Sequence, residues 1–120
     1  MIVGIGTDIL EISRIEKVYG NERFIEKNFT ESEIEMFKNK KAETAAGNFC
    51  CKEAVSKALG CGFSNFMPIS IEILRNESGA PVVALYGNAK KAAETMSVKK
   101  IHASISHCGQ YAVSFVVLEG

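Results

Sequence analysis

FCCKEAVSKALG, residues 49–60, decides how this fold is read. On a helical wheel at about 100° per residue, Gly47, Cys50, Cys51, Ala54, Val55 and Ala58 share one arc. Nearly all are small, so the backbone of a neighbouring element can come very close. Glu53 and Lys57 sit together at the border of that arc, and Lys52 points away from both. On an open surface, Glu53 and Lys57 would be an ordinary i,i+4 pair, worth roughly 0.2–0.5 kcal/mol. At the border of a buried arc, Glu53 is expected to lose water and to need a partner.

Asp8 offers itself as that partner. On the opening strand, residues 2–9, Ile2, Gly4, Gly6 and Asp8 share a face. Two glycines on one face mark close approach by another backbone or a ligand. One reading makes the glycines a bare strip for the small-residue helix, with Asp8 capping the next helix. The other brings Asp8 beside Glu53. Adjacent carboxylates repel unless a proton or cation lies between them, and Mg²⁺ is held by one or two carboxylates together with waters and phosphate oxygens.

The rest of the chain supplies the frame. A short amphipathic helix carries Ile12, Ile15 and Tyr19 and stops at Gly20-Asn21. RFIEKNF is a helical turn or two. Thr30-x-x-Glu33 is a capping box opening a helix to about Asn39. The longest helix spans about Ala42 to Leu59 and is stopped by Gly60 and Gly62. ISIEIL and PVVALYG form a hairpin around NESGAP. NAKKAAETM is helical, with Asn88 as its candidate cap. KIHASISH and YAVSFVVLE are strands around the tight Cys108-Gly109-Gln110 link. The row Tyr111, Val113, Phe115, Val117 is read as core, or as an interface between copies. The class is α+β, a mostly antiparallel sheet with helices packed on one face, in one domain spanning residues 1–120.

Lys+Arg and Asp+Glu balance at 14 each, which gives no reason to expect nucleic acid or an anionic membrane as partner. The apolar start is too short to span a bilayer and lacks the marks of a signal peptide, so a cytoplasmic protein is expected. Cys50, Cys51, Cys61 and Cys108 show no C-x-x-C spacing, and are read as small hydrophobes rather than zinc ligands or disulfides.

Three motifs in order carry a resemblance. GIGTDILEISRIEK, FCCKEAVSKALG and SISHCGQYA, with Gly79–Pro81 between the second and third, resemble the holo-acyl-carrier-protein synthases, the small phosphopantetheinyl transferases. The likeness spans nearly the whole chain. It implies transfer of the 4′-phosphopantetheine arm of coenzyme A to a serine of apo-acyl carrier protein, with adenosine 3′,5′-bisphosphate as by-product. By the same resemblance Asp8 and Glu53 are Mg²⁺ ligands. Lys57 lies on the coenzyme A phosphates, and the serine is deprotonated either by Lys57 or by Glu53 through a metal-bound water, between which the sequence does not decide; His107, Lys52 and Pro81 also belong to the coenzyme A site. Arg14 and Lys17 face the acidic carrier protein. A homotrimer with each active site between two subunits is implied as well.

Two departures from the family pattern stand out. Asn48 occupies a position where relatives carry an arginine on coenzyme A phosphate, and Cys108-Gly109-Gln110 replaces a more charged stretch. Weaker coenzyme A binding follows as an expectation, with Lys40, Lys41 or Lys52 as substitute cations. Two other functions use the same carboxylates or the same surfaces: a Mg²⁺-dependent nucleotide or pyrophosphate hydrolase, and a non-catalytic module binding coenzyme A or a carrier protein.

Overall fold

A computed structural model of the chain describes residues 1–60 and 67–120. The expected stop at Gly62, and Cys61, lie outside the described residues. Strand β1 (Ile2–Glu11) leads into a run of four helices: α1 (Ile12–Glu16), α2 (Glu22–Asn28), α3 (Glu31–Phe37) and α4 (Ala42–Ala58). A 3-10 turn at Pro68–Ser70 enters β2 (Ile71–Arg75), which pairs with β3 (Pro81–Leu85). Helix α5 (Gly87–Thr95), β4 (Lys100–Cys108) and β5 (Tyr111–Glu119) complete the order.

The strands form two antiparallel sheets, β1-β5-β4 and β2-β3. Helix α4 packs on one face of the larger sheet, as the α+β reading anticipates. The glycine strip does meet the small-residue arc. A Cβ added at Gly6 would overlap the Ala54 carbonyl oxygen, and one at Gly4 the Ala58 carbonyl oxygen. Gly47 is less tightly held, its added Cβ falling 3.0 Å from the side-chain methyl Ile105 Cγ2. Two apolar clusters flank this seam. One gathers Cys51, Val55, Ile71, Ile73, Val116 and Leu118; the other gathers Leu10, Ile15, Phe29, Phe37, Cys50 and Ala112.

Four local expectations need correction. Asp8 caps nothing: it sits within β1, and the residue before α1 is Glu11, which makes no side-chain cap. Helix α5 starts after Tyr86, one residue before the expected cap Asn88. Helix α3 ends at Phe37, and Asn39 turns the chain with φ 63° before α4. In β5 the buried row is Ala112, Ser114, Val116 and Leu118, whereas Tyr111, Val113 and Phe115 are exposed. The even row wins because α4 lies on that side, and the bulkier odd row would not fit against a helix touching the glycine strip. The exposed row continues onto β1, where Ile5 and Ile9 are 61% and 63% exposed.

The capping box is present as read. The Thr30 hydroxyl accepts from Glu33 N, and Glu33 Oε1 accepts from Thr30 N. Glu33 does more than cap. It is fully buried, and Lys52 Nζ on α4 meets its Oε1 at 2.7 Å. Asn48 Nδ2 and Ile73 N donate to Oε2 at 2.9 and 3.2 Å. Lys52 also donates to the carbonyls of Pro68 and Ile71, and Asn48 to that of Ile73. These contacts tie α3, α4 and β2 together.

Candidate active site

Strand β1 carries Asp8 on the face that Gly4 and Gly6 leave bare for α4. Helix α4 brings Glu53 and Lys57 to the same place. Lys57 Nζ donates to Asp8 Oδ1 at 3.0 Å and to the Thr7 carbonyl at 3.1 Å. Burial pushes the Glu53 carboxyl above its ordinary value; the charge of Asp8 adds to the rise and Lys57 opposes it. Two carboxylates and one ammonium thus share a small volume, with one negative charge in excess.

Beneath Asp8 lies Ser114, its cross-strand neighbour on β5. The Ser114 hydroxyl donates to the Cys50 carbonyl at 2.9 Å, and Cys50 Sγ lies 3.3 Å from the Ser114 oxygen. Burial pushes the Cys50 thiol up to about 11, so it stays neutral against the carboxylate. Neither residue is expected from its sequence context to support the site, since both read as ordinary small core residues.

His107 and Pro81 are not in this cluster. They line a separate cleft of about 420 Å³, whose walls also include Lys40 after α3, Arg75 at the end of β2, and Glu43 on α4. His107 Nδ1 lies 3.8 Å from Glu43 Oε2. A second recess of about 320 Å³, on the exposed sheet face, reaches Thr7, Lys57 and Phe115. Within one chain, the residues expected on one coenzyme A molecule therefore open into two hollows.

Lys52 is the clear correction. It has no exposed surface, and its ammonium is consumed by Glu33 and two carbonyls. Burial lowers its pKa, and Glu33 works against that shift. Such a side chain cannot reach a substrate phosphate in this fold, either as a site residue or as a substitute cation. Asn48 is equally buried, with its Oδ1 unpartnered, so position 48 also faces the interior. Arg14 and Lys17 are exposed on and just after α1. Arg75 and Glu43 escape sequence reasoning; the signal for Arg75 is the one cation of its strand, standing at the strand's end.

The donor set at Asp8 and Glu53 suits a hard divalent cation. Both are carboxylates, and Glu53 is partly stripped of water and held near a like charge, a strain a cation would relieve. Among the described residues no cluster of three or more His, Cys, Asp or Glu side chains could cage a metal alone. The pair therefore matches a site completed by water and substrate oxygens, as Mg²⁺ sites commonly are. No helix among the described residues is long and apolar enough to cross a membrane.

Comparison with known proteins gives a consistent result. The model of the 4′-phosphopantetheinyl transferase superfamily matches residues 4–116. The chain is 47% identical to a holo-[acyl-carrier-protein] synthase of Clostridium perfringens, over 100% of this chain and 96% of the relative. It superimposes on the Helicobacter pylori holo-[acyl-carrier-protein] synthase in complex with coenzyme A with a TM-score of 0.85 and 36% identity, covering 96% of this chain and 99% of that one. The Bacillus anthracis holo-(acyl-carrier-protein) synthase in complex with CoA (3′,5′-ADP) gives 0.82 at 37% identity, covering 98% and 96%.

Proposed function

The chain belongs to the 4′-phosphopantetheinyl transferase superfamily, and from that premise we propose how its own residues work. It is an enzyme that transfers the 4′-phosphopantetheine group of coenzyme A to a serine of apo-acyl carrier protein, releasing adenosine 3′,5′-bisphosphate. The observation that carries the mechanism is the convergence of Asp8, Glu53 and Lys57 from two elements packed at glycine distance.

Asp8 and Glu53 would hold Mg²⁺, which supplies charge stabilisation at the phosphate oxygens when bound. Lys57 is half exposed and tethered to Asp8, so its ammonium can swing onto a substrate phosphate while leaving Asp8 ionised. An ammonium has no lone pair to accept a proton. The proton of the acceptor serine is therefore assigned to the Glu53 carboxylate, acting through a water molecule. The serine oxygen attacks the phosphorus that carries the pantetheine arm, and the bond to the bridging oxygen breaks. Positioning that hydroxyl supplies much of the remaining acceleration.

Arg14 and Lys17 give an exposed basic edge near β1 for the carrier protein. The exposed apolar row Ile5, Ile9, Val113 and Phe115 supports a homotrimer. The separation of the two hollows supports it too, because a neighbouring copy could bring its cleft against the Asp8 cluster and complete one coenzyme A site. Free thiols at Cys50, Cys51 and Cys108 fit a cytoplasmic setting.

The test is intact mass measurement of an apo carrier protein after incubation with the enzyme, Mg²⁺ and coenzyme A. A phosphopantetheine adduct that disappears with Asp8→Ala, Glu53→Ala or a chelator supports the whole reading. Coenzyme A cleavage without adduct would indicate the hydrolase instead; binding with neither would indicate the non-catalytic module. Light scattering checks the trimer, and a monomer at working concentration would overturn it.

A further inference from the structure

The seam between β1 and α4 advances in step. An added Cβ would meet the Ala58 carbonyl at Gly4 and the Ala54 carbonyl at Gly6. Two residues of a strand and one turn of a helix cover comparable lengths, about 6.8 and 5.4 Å. The next step of the same register puts Asp8 over Cys50. Cys50 is fully buried. Besides burial and the Ser114 hydroxyl, the charge of Asp8 and a side-chain hydrogen bond to it act on the Cys50 thiol. At Cys51, equally buried, burial is joined by the charges of Arg75, Cys50, Lys52 and Glu33. The two neighbouring thiols therefore face different groups.

The protons beneath Asp8 can be counted. Ser114 stands opposite Asp8 in the β1–β5 pairing, on the same face of the sheet. Its one hydroxyl proton goes to the Cys50 carbonyl at 2.9 Å. Towards Cys50 Sγ, 3.3 Å away, Ser114 Oγ can then only accept. The thiol has one proton and three acceptors within reach: that oxygen, the Ala112 carbonyl at 3.5 Å, and the Asp8 carboxylate. An ionised acceptor makes the strongest of these bonds. Asp8 is thus held from two points of α4, seven residues apart: Lys57 Nζ on Oδ1, and the Cys50 thiol. When Lys57 swings onto a phosphate, the thiol is the donor that stays.

We propose that Cys50 and Ser114 are positioning residues that keep the Asp8 carboxylate in its metal-binding orientation while Lys57 serves the substrate. Ser114 anchors the helix backbone at Cys50, and the Cys50 thiol anchors Asp8. The thiol remains neutral and touches neither metal nor substrate. The inference rests on the Mg²⁺ reading above.

The half-saturating Mg²⁺ concentration is measured from melting shifts of the enzyme alone and from rates of carrier-protein modification. Cys50→Ala raises it roughly 3- to 10-fold by both readouts, at and below the low end for loss of a group supporting a metal ligand, because a thiol is a weak donor. Cys50→Ser restores a donor and returns it to within about twofold of wild type. Ser114→Ala raises it roughly 2- to 5-fold, and carries the test if Cys50→Ala does not fold. Cys51→Ala is the control: its thiol packs with Val55 and Ile71, so its loss lowers stability and leaves the Mg²⁺ value unchanged. A merely structural role for Cys50 would lower the melting temperature in Cys50→Ala as in Cys51→Ala without moving the Mg²⁺ value, and that result would overturn the proposal. So would a Cys50→Ser variant no better than Cys50→Ala. A wild-type enzyme showing neither a Mg²⁺-dependent melting shift nor a Mg²⁺-dependent rate would sink the metal reading itself, and this proposal with it.

Discussion

Lys52 and Glu53 are neighbours on one helix, both charged, and their surroundings are opposite. Lys52 lies in the core with every demand met: Glu33 balances its charge, two carbonyls accept its remaining hydrogen bonds, and the ring centroid of Phe29 lies 5.2 Å from its ammonium. Glu53 stands at a half-open edge, beside a like charge on Asp8, with one lysine shared between two carboxylates. The closed cluster serves structure, because the Lys52 charge is balanced and sealed from any ligand. The open one has an excess of charge that only a ligand or a proton can settle. The degree of local neutralisation, more than residue type or sequence context, separates framework from chemistry here.

The largest expected effect breaks the closed side. Lys52→Met leaves Glu33 buried and unpaired, and should cost about 3–5 kcal/mol in denaturant unfolding. Adding Glu33→Gln removes the stranded charge and should recover a substantial part of that loss. A double variant no more stable than the single would show that the pair is not coupled.

On the open side the same kind of change should leave stability alone and remove activity. Glu53→Gln is expected to lower carrier-protein modification about 100- to 1,000-fold, roughly 3–4 kcal/mol of barrier. Its melting temperature should match or exceed that of the metal-free wild type. A comparable loss of stability would erase the contrast with Lys52.

Gly6→Ala tests the seam that brings the two sides into one helix. Its methyl would collide with the Ala54 carbonyl, a backbone atom that cannot rotate away. Overpacking of this kind costs typically about 1–3 kcal/mol, and separating β1 from α4 should lower activity as well. An active variant of wild-type stability would show that the packing is looser than described.

The smallest effect is in pH. The folded-state pKa of Glu53 is raised, mainly by burial. The metal-free fold therefore retains a proton that the unfolded chain has already lost. Its stability declines as pH rises from the ordinary carboxylate range through that raised value. Mg²⁺ needs the ionised pair, so its affinity should increase over the same window, by at most about tenfold per pH unit for one released proton. Mg²⁺-induced melting shifts that grow from pH 5 to pH 7 in the wild type, and lose that growth in Glu53→Gln, would confirm the assignment. A pH-independent shift would refute it.

Much of this was legible in residue order. The glycine strip and the small-residue arc announce each other, and their contact follows from the absence of side chains on both. The Thr30–Glu33 box is equally visible, since a cap is a local device. Less legible was what lies opposite each outward direction. The wheel correctly turns Lys52 away from Glu53, but the space it turns into is filled by α3 and β2, elements 15 or more residues away along the chain. The same holds for β5, where alternation defines two rows and only the position of α4 decides which is buried. The cleft that Arg75 lines is hidden for a related reason: it is walled by residues from α3, α4 and β4 that are far apart along the chain.

No backbone hydrogen bond joins β2 or β3 to the larger sheet among the described residues. Besides packing, the hairpin is tied to α3 and α4 through the side chains of Glu33, Asn48 and Lys52. With the Thr30 hydroxyl donating to Glu72 at 2.6 Å as well, it is a flap buttoned on by a few side chains rather than a panel woven into the cloth. Under native exchange into deuterated water its amides should open as a cooperative group of their own, ahead of those shared by β1 and β5.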